Sequence, residues 1–369
     1  MRVALVHDWL NQQGGAEVVL DQLHRMFPDA PVHTSFYDPN LVDPVFRTME
    51  IHPTWLQRLP GWRTRHQAFL PLFPLAFQST RVQDVDLVVS NASAFCKGIR
   101  TPARAVHVCY CLTPTRFIWA PRAYLMREGF PNWLPPMLAP LLWWLRRWDR
   151  AAAQRVTQFV AISETVAKRI RHHYGREAPV VHPPVDVTRF KPSTEIENHF
   201  LVVSRLIPYK RIDLAVRACT DAELPLLVIG DGRDLHSLRE MAGPTVRFAG
   251  RLSDDEVRQH MARCRAFIFP GEEDFGIAPV EAQAAGRPVV AYAGGGALET
   301  VREGETGILF HEQTVTSLRE ALDRVSTMPV NPTELVRHAA QFDVTEFQTK
   351  LRGVIEVTFE RSRASQVAL

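Results

Sequence analysis

Short runs of β-branched and apolar residues alternate with helical patterns along almost the whole of this 369-residue chain. Apolar strands separated by helices call for a parallel sheet covered on both faces, because each parallel crossover needs a helix. Residues 2–9 (RVALVHDW) read as a strand, GGAEVVLDQLHRMF as a helix with a glycine entry, and PVHTSFYD as a second strand. VDLVVSNAS (85–93), AVHVCYC (105–111) and FVAIS (159–163) continue the series. The second half repeats it with HFLVVSR (199–205), PLLVIGDG (225–232), VRFAGR (246–251), RAFIFP (265–270), PVVAY (288–292) and TGILF (306–310). Between the halves, prolines and a polar run without apolar periodicity read as a linker near residues 183–198. The expectation is an α/β protein of two Rossmann-like, doubly wound parallel-sheet domains, 1–185 and 195–345. A final helix, 346–369, is able to pack back on the first domain. Two such halves enclose a cleft, and ligands of such sheets bind beyond the carboxyl ends of the strands.

The bulk numbers exclude several classes. An apolar fraction of 46% supports proper cores, and 22% charged residues are ordinary. The five cysteines are scattered and odd in number, which is no disulfide framework and fits a reducing compartment. Cys109 and Cys111 stand in an apolar run without a second ligand pair, so they read as buried strand residues rather than a zinc site. The N-terminus is too short and polar for a signal peptide, and no apolar run is long enough to span a bilayer. The formal charge of +3 hides an asymmetry: residues 51–127 hold ten Lys/Arg against Asp84 and Asp86, so that segment is +8 and the rest −5. All eight tryptophans also lie within the first 148 residues.

The residues just after the strands carry the chemistry. Gly14-Gly15 opens a helix, where bare amides attract anions, though a tight turn would use the same pair. Arg205 and Lys210 follow strand HFLVVS; a planar fork and a point charge suit a diphosphate, or form a solvated basic loop. In EEDFGIAPVEAQAAG, Glu273 and Glu281 bracket a Phe-Gly turn, and the amides of residues 274–277 form a second helix entry. A glutamate in the first turns of a helix also serves the helix dipole alone. Gly294-Gly295-Gly296 permits close backbone approach. No G-x-G-x-x-G follows the first strand, which argues against a dinucleotide dehydrogenase.

EEDFGIAPVEAQAAGRPVVA resembles the E-x7-E signature of retaining family 4 glycosyltransferases of the GT-B fold. VSRLIPYK is similar to their diphosphate clamp and HDWLNQQGGAE to their first glycine loop. VVHPPVDVTRF, GDGRDL, VRFAGRLSDDEV and GGGALETVREGETGILF resemble further stretches in the expected order. The resemblance implies a retaining, metal-independent hexosyltransferase that needs no cofactor and uses a nucleoside-diphosphate sugar, GDP-mannose being the best reading. It implies that Gly14 and Gly15 lie against donor phosphate or acceptor, and that Arg205 and Lys210 hold the leaving diphosphate. Glu273 would take the donor sugar's hydroxyls and Glu281 the ribose hydroxyls, with Phe275, Gly276 and Ile277 touching sugar or phosphate through their amides. Base recognition would fall near Gly250 and Leu252. Asp84-Val85-Asp86 fits a metal-binding D-x-D pattern but enters a strand rather than leaving one, so no metal is expected.

The chain departs from that pattern at CLTPTRFIWA, residues 111–120: Leu112 stands where relatives often have His, while Thr113, Pro114 and Arg116 match. Either the donor sugar lacks a polar 6-substituent, or another group such as His7 or His107 covers the loss. Arg116 would face an acceptor phosphate or pair in the core. The mix of Trp, Leu and Arg in WLQRLPGWRTRHQAFLPLFPLAFQ and NWLPPMLAPLLWWLRRWDRAAAQR suits an anionic headgroup layer, or packs a core. The expected partners are a nucleotide sugar, a lipid-diphosphate-linked glycan acceptor and the anionic inner leaflet of the cytoplasmic membrane, with no nucleic acid. That places the protein in the cytoplasm, peripherally bound to that membrane. A UDP-sugar or deoxy-sugar transferase, a nucleotide-sugar epimerase and a non-catalytic sugar-nucleotide-binding subunit remain the alternatives.

Overall fold

The computed structural model describes residues 1–121 and 134–367. Residues 122–133, with Trp133 and the end of the basic stretch, lie outside the described residues. The chain divides into two units, Met1–Pro184 with the residues from Phe347 onward, and Val185–Glu346.

Among the described residues the first unit holds strands β1 (Val3–His7), β2 (Val32–Thr34), β3 (Ile51–Pro53), β4 (Leu87–Ala92), β5 (Val106–Cys111) and β6 (Gln158–Ala161). They pair in parallel in the order β3-β2-β1-β4-β5-β6. The second unit holds β7 (Phe200–Val203), β8 (Leu226–Ile229), β9 (Val246–Gly250), β10 (Ala266–Phe269), β11 (Val289–Tyr292) and β12 (Gly307–Phe310), also parallel, in the order β12-β11-β10-β7-β8-β9. Both sheets start at a central strand, wind to one edge and return to the other side. The winding reverses between β1 and β4 in one sheet and between β7 and β10 in the other, which are the positions where such sheets open a crevice. β3 carries no alternation or apolar run and was not expected. It is a three-residue edge strand ending in exposed His52 and Pro53, and an edge tolerates proline.

Alternation along the strands builds two layers in the second unit. Phe200, Val202, Ala266, Ile268 and Ile308 pack on one face, and Leu201, Phe267, Phe269, Val289 and Leu309 on the other. Of the stretch 183–198 read as a linker, the part from Val185 onward is bonded into this unit: Val185 N donates to Phe342 O at 3.0 Å and Glu197 N to Arg263 O at 2.7 Å.

A buried carboxylate and a buried ion pair organise the first unit. The Asp8 carboxylate, 1% exposed, follows β1 and accepts from Ser93 N, Ala94 N and Phe95 N at 2.7 Å, Cys96 N at 2.8 Å and Ser93 Oγ at 3.1 Å. It thus clamps the end of β1 to the loop after β4. Lys97, in the same loop, pairs with Asp149 at 2.5 Å, and both are fully buried. Burial opposes the Lys97 charge, but Asp149 more than offsets it and holds the pKa above its ordinary value. Asp149 lies on helix Ala139–Gln154 and also accepts from Trp119 Nε1 at 2.8 Å and Tyr174 OH at 2.7 Å. With Gly15–Met26 as α1, these partners come from α2 (Arg116–Trp119), α3 (Ala139–Gln154) and α4 (Glu164–Tyr174), so one carboxylate joins three helices. All five cysteines are free and buried. Burial pushes Cys219 and Cys264 up to about 12 and Cys96 and Cys111 well above the ordinary thiol value.

The Lys97–Asp149 pair yields a test of this account. Lys97→Met leaves Asp149 charged, buried and without its cation, and should cost about 3–5 kcal/mol in urea unfolding. A loss below about 1 kcal/mol would mean that the neutral donors Thr115 Oγ1, Trp119 Nε1 and Tyr174 OH satisfy Asp149 unaided.

Candidate active site

The reversal between β7 and β10 places two loops side by side. β7 runs out into Ser204 and Arg205, then a short 3-10 turn, Pro208–Lys210, and helix α5 (Ile212–Asp221). β10 runs out into Pro270–Gly276 and helix α7 (Ile277–Ala284), with α6 (Asp254–Arg263) earlier in the chain. Arg205 is exposed just beyond the end of β7; its carbonyl accepts from Ile207 N at 3.0 Å and Ser204 Oγ at 3.1 Å, while its guanidinium makes no hydrogen bond or ion pair among the described residues. Lys210 reaches across the reversal: its ammonium donates to Glu273 Oε1, with the two side chains 15% and 22% exposed. The structure therefore joins Lys210 to Glu273.

Glycines set these positions. A Cβ on Gly271 would come within 2.9 Å of Lys210 Cα, so the two loops touch backbone to backbone. Gly295, at φ +59°, bridges Glu273 in parallel, and a Cβ on it would lie 1.9 Å from Glu273 O. Gly296 N donates to the same carbonyl at 2.8 Å, and its own Cβ would lie 2.2 Å from Phe275 Cα. The glycine triplet thus seats the Glu273 loop. On the other flank, Cβ atoms on Gly230 and Gly232 would strike Ser204 O at 1.9 Å and Leu206 O at 2.2 Å, bracketing Arg205.

Phe275 is buried, edge-on to Phe342 at 5.7 Å, so its ring packs the core and only its backbone faces the turn. Gly276, at φ +87°, precedes α7 without a side-chain cap, and the first turn of α7, which begins at half-buried Ile277, holds no acid. The helix N-terminus is thus left to attract an anion. Glu281 stands on the second turn of α7 and is half-buried. Burial pushes its carboxyl up to about 7, Arg189 and Arg258 pull it down and Asp254 pushes it up. Arg189 itself pairs with Asp254 at 3.0 Å. Gly250 ends β9 at φ +70°, and its carbonyl accepts from Gly230 N at 2.7 Å.

In the first unit the corresponding strand ends hold the remaining expected residues. Gly14 caps α1 in an extended conformation, and Gly15 is its first residue. A Cβ on Gly14 would lie 3.3 Å from Glu17 Oε2, so this glycine first of all makes room for a side chain of its own helix. Glu17 is buried. Its Oε1 lies 3.4 Å from His7 Nε2, and Oε2 has no hydrogen-bond partner among the described residues. Asn91 Nδ2 is anchored on Ala16 O at 2.7 Å and faces His7 Nδ1 at 3.3 Å, which leaves the His7 proton on Nε2 toward Glu17. The sequence reading missed Glu17; an acid in the first turn of a helix looks like a dipole partner. Leu112, half-buried, follows β5 with its amide on Ala92 O at 2.8 Å; Thr113 is buried, and Arg116 opens α2. Neither histidine proposed to cover for Leu112 is exposed. His7 is committed to Asn91 and Glu17, and His107 sits in the amino-terminal half of β5 on Ser90 Oγ at 2.9 Å, pushed down to about 3 by burial and by Arg155. Asp86 precedes β4 and accepts from Arg2 N at 2.7 Å, at the amino end of the sheet.

The described tryptophans divide between core and surface. Trp62 stacks on Phe36 at 5.3 Å, and Trp148 covers Gly98 so closely that a Cβ there would lie 2.2 Å from the ring. Trp143 and Trp144 on α3 are 62% and 37% exposed, with the Arg147 guanidinium 5.1 Å over the Trp143 ring.

Residues 13–189 match the family model described as Glycosyltransferase Family 4, and residues 186–342 that of Glycosyl transferases group 1. A GDP-mannose-dependent monoacylated alpha-(1-6)-phosphatidylinositol monomannoside mannosyltransferase of Corynebacterium glutamicum is 29% identical over 213 residues, 49% of this chain and 56% of that protein. A glycogen synthase of Pseudomonas syringae pv. syringae is 28% identical over 197 residues, 50% of this chain and 38% of that protein. The chain thus spans about half the length, or less, of these curated relatives. Among solved structures, Anabaena Alr3699/HepE in complex with UDP has a TM-score of 0.71 at 20% identity, covering 97% of this chain and 100% of that one. A sucrose-phosphate synthase from Thermosynechococcus elongatus reaches 0.73 at 17% identity, covering 98% and 100%. Two family models that follow one another from residue 13 to residue 342, on a fold shared over nearly the full length, establish that the chain belongs to the family 4 glycosyltransferases of the GT-B fold.

Proposed function

We propose that this chain is a retaining, metal-independent hexosyltransferase. It takes a sugar from a nucleoside-diphosphate donor, GDP-mannose first among them, and places it on a lipid-linked or polysaccharide acceptor of a bacterial glycan. The observation that carries the reading is the reversal between β7 and β10, where Arg205, Lys210, Glu273 and the start of α7 border one place. The relatives named for GDP-mannose support the choice of donor.

The chemistry follows from the charges. As the bond from the anomeric carbon to the β-phosphate oxygen breaks, its electron pair leaves on the nucleoside diphosphate while the sugar becomes cation-like. Fixed cations there stabilise the transition state more than the ground state. Lys210 and Arg205 supply them, with the α7 amides as a third donor group. Glu273, held by Lys210, accepts from the sugar's hydroxyls and favours the cation-like ring. The acceptor oxygen forms the new bond on the face the diphosphate leaves, and its proton passes to the departing phosphate. Glu281, on α7, takes the ribose hydroxyls.

The exposed Trp143 and Trp144 beside Arg147 support docking on an anionic bilayer surface at the inner face of the cytoplasmic membrane. Among the described residues no helix is long and apolar enough to cross a membrane.

Nucleoside-diphosphate release from a panel of GDP-mannose, GDP-rhamnose and UDP-glucose tests the donor. GDP-mannose should turn over fastest, and a clear preference for GDP-rhamnose would instead fit Leu112 against a 6-methyl group. Arg205→Ala and Lys210→Ala should each lower kcat by about 10²–10³. Turnover should persist in EDTA, and its abolition would overturn the metal-free mechanism. Glu281 has a folded pKa of about 7 against an ordinary 4.5, so its protonated form contributes stability present in full below about pH 4.5 and lost as pH rises through about 7. In Glu281→Gln that loss should vanish, leaving Tm flatter than wild type across this range. Floatation with phosphatidylglycerol vesicles should fall in Trp143→Ala/Trp144→Ala while floatation with phosphatidylcholine stays weak for both proteins.

A further inference from the structure

Arg211, directly after Lys210, holds φ at +53°, a left-handed conformation that a long side chain adopts only when its surroundings impose it. What imposes it is visible. The guanidinium lies on Asp213, with Nε to Oδ1 at 3.1 Å and Nη2 to Oδ2 at 3.3 Å, and Nη1 donates to Gln313 Oε1 at 3.3 Å. Gln313 comes from the loop after β12, and its Nε2 donates to Pro270 O at 3.3 Å. Pro270 precedes Gly271, the residue whose backbone rests on Lys210. Two residues further on, Glu273 takes the Lys210 ammonium.

These contacts close a ring: Lys210, Arg211, Gln313, Pro270, Gly271, Glu273 and back to Lys210. The ring ties the loop after β7 to the loop after β10 through a third loop, after β12. A helix start could be made with glycine at the left-handed position and no tether at all. Here the position carries an arginine whose three nitrogens are all spent on neighbours, one of them on a residue that grips the opposite loop.

We propose that Arg211 and Gln313 are positioning residues that fix the Lys210 ammonium across the β7–β10 reversal for a nucleoside diphosphate. This rests on the reading of Lys210 as a diphosphate ligand. Neither residue touches the ligand; each acts through Lys210. A purely structural role would lower Tm without any energetic link to Lys210.

Calorimetric titration of the full chain with GDP and with UDP, beside thermal unfolding, tests the ring. Gln313→Ala should keep the wild-type Tm and weaken the nucleotide that wild type binds by about tenfold. Arg211→Gly, which suits the backbone but drops the tether, should weaken it to a similar degree. In a Lys210→Ala background, Gln313→Ala should cause no further loss. Wild-type binding by Gln313→Ala and Arg211→Gly, or a full additional loss in the double variant, would overturn the proposal. Should Lys210→Ala itself bind like wild type, or wild type bind neither nucleotide, the diphosphate reading of Lys210 fails and the positioning role falls with it.

Discussion

Backbone pressed against backbone is the constraint from which the carboxyl end of the second unit's sheet, the candidate active site, is built. The loops leaving β7, β8, β10 and β11 lie at separations that no Cβ could share, and each contact has a glycine on one side. Gly230 and Gly232 press on the Arg205 loop, Gly271 on the Lys210 turn, and Gly295 and Gly296 on the Glu273 loop. The side chains of the candidate site are therefore not placed by their own packing. They ride on main chain that is held on both sides, which confers more precision than a free surface loop allows.

The first unit solves the same mechanical problem with charge. Its loop after β4 is held by the Asp8 carboxylate, which gathers four backbone amides, and by Lys97, which is seated on Asp149. Both devices use buried ions that would be costly alone and are satisfied in full here. They fix the end of β1 against the loop after β4 and bring α2, α3 and α4 to a single carboxylate.

Most of the architecture was legible because parallel strands buried on both faces leave continuous apolar runs, as in LVVSNA and VHVCYC. β3 was not legible, since IHP carries none of that signal and owes its state to its neighbour's register. Arg205, Lys210 and Glu273 could be picked out because they follow strand ends, and Glu281 because it completes an E-x7-E spacing on the helix after β10; the fold puts Lys210 against Glu273. What the sequence could not disclose was partnership. The triple glycine reads as permitting close backbone approach, and the backbone it meets is the Glu273 loop, while Gly14 makes room for Glu17. Arg211 and Gln313 are 102 residues apart, and no local pattern announces such a pair. The polar run after Pro184 reads as linker because its hydrogen bonds go to residues far away in sequence.

The five buried cysteines carry a practical consequence. Thiol reagents attack the thiolate; burial denies access to all five and suppresses that form at Cys96, Cys111, Cys219 and Cys264. The folded chain is thus chemically silent toward maleimides without any prior replacement of its own residues. A single cysteine introduced on an exposed position becomes a unique handle for a fluorophore or spin label, and any slow labelling of the unaltered protein reports transient unfolding.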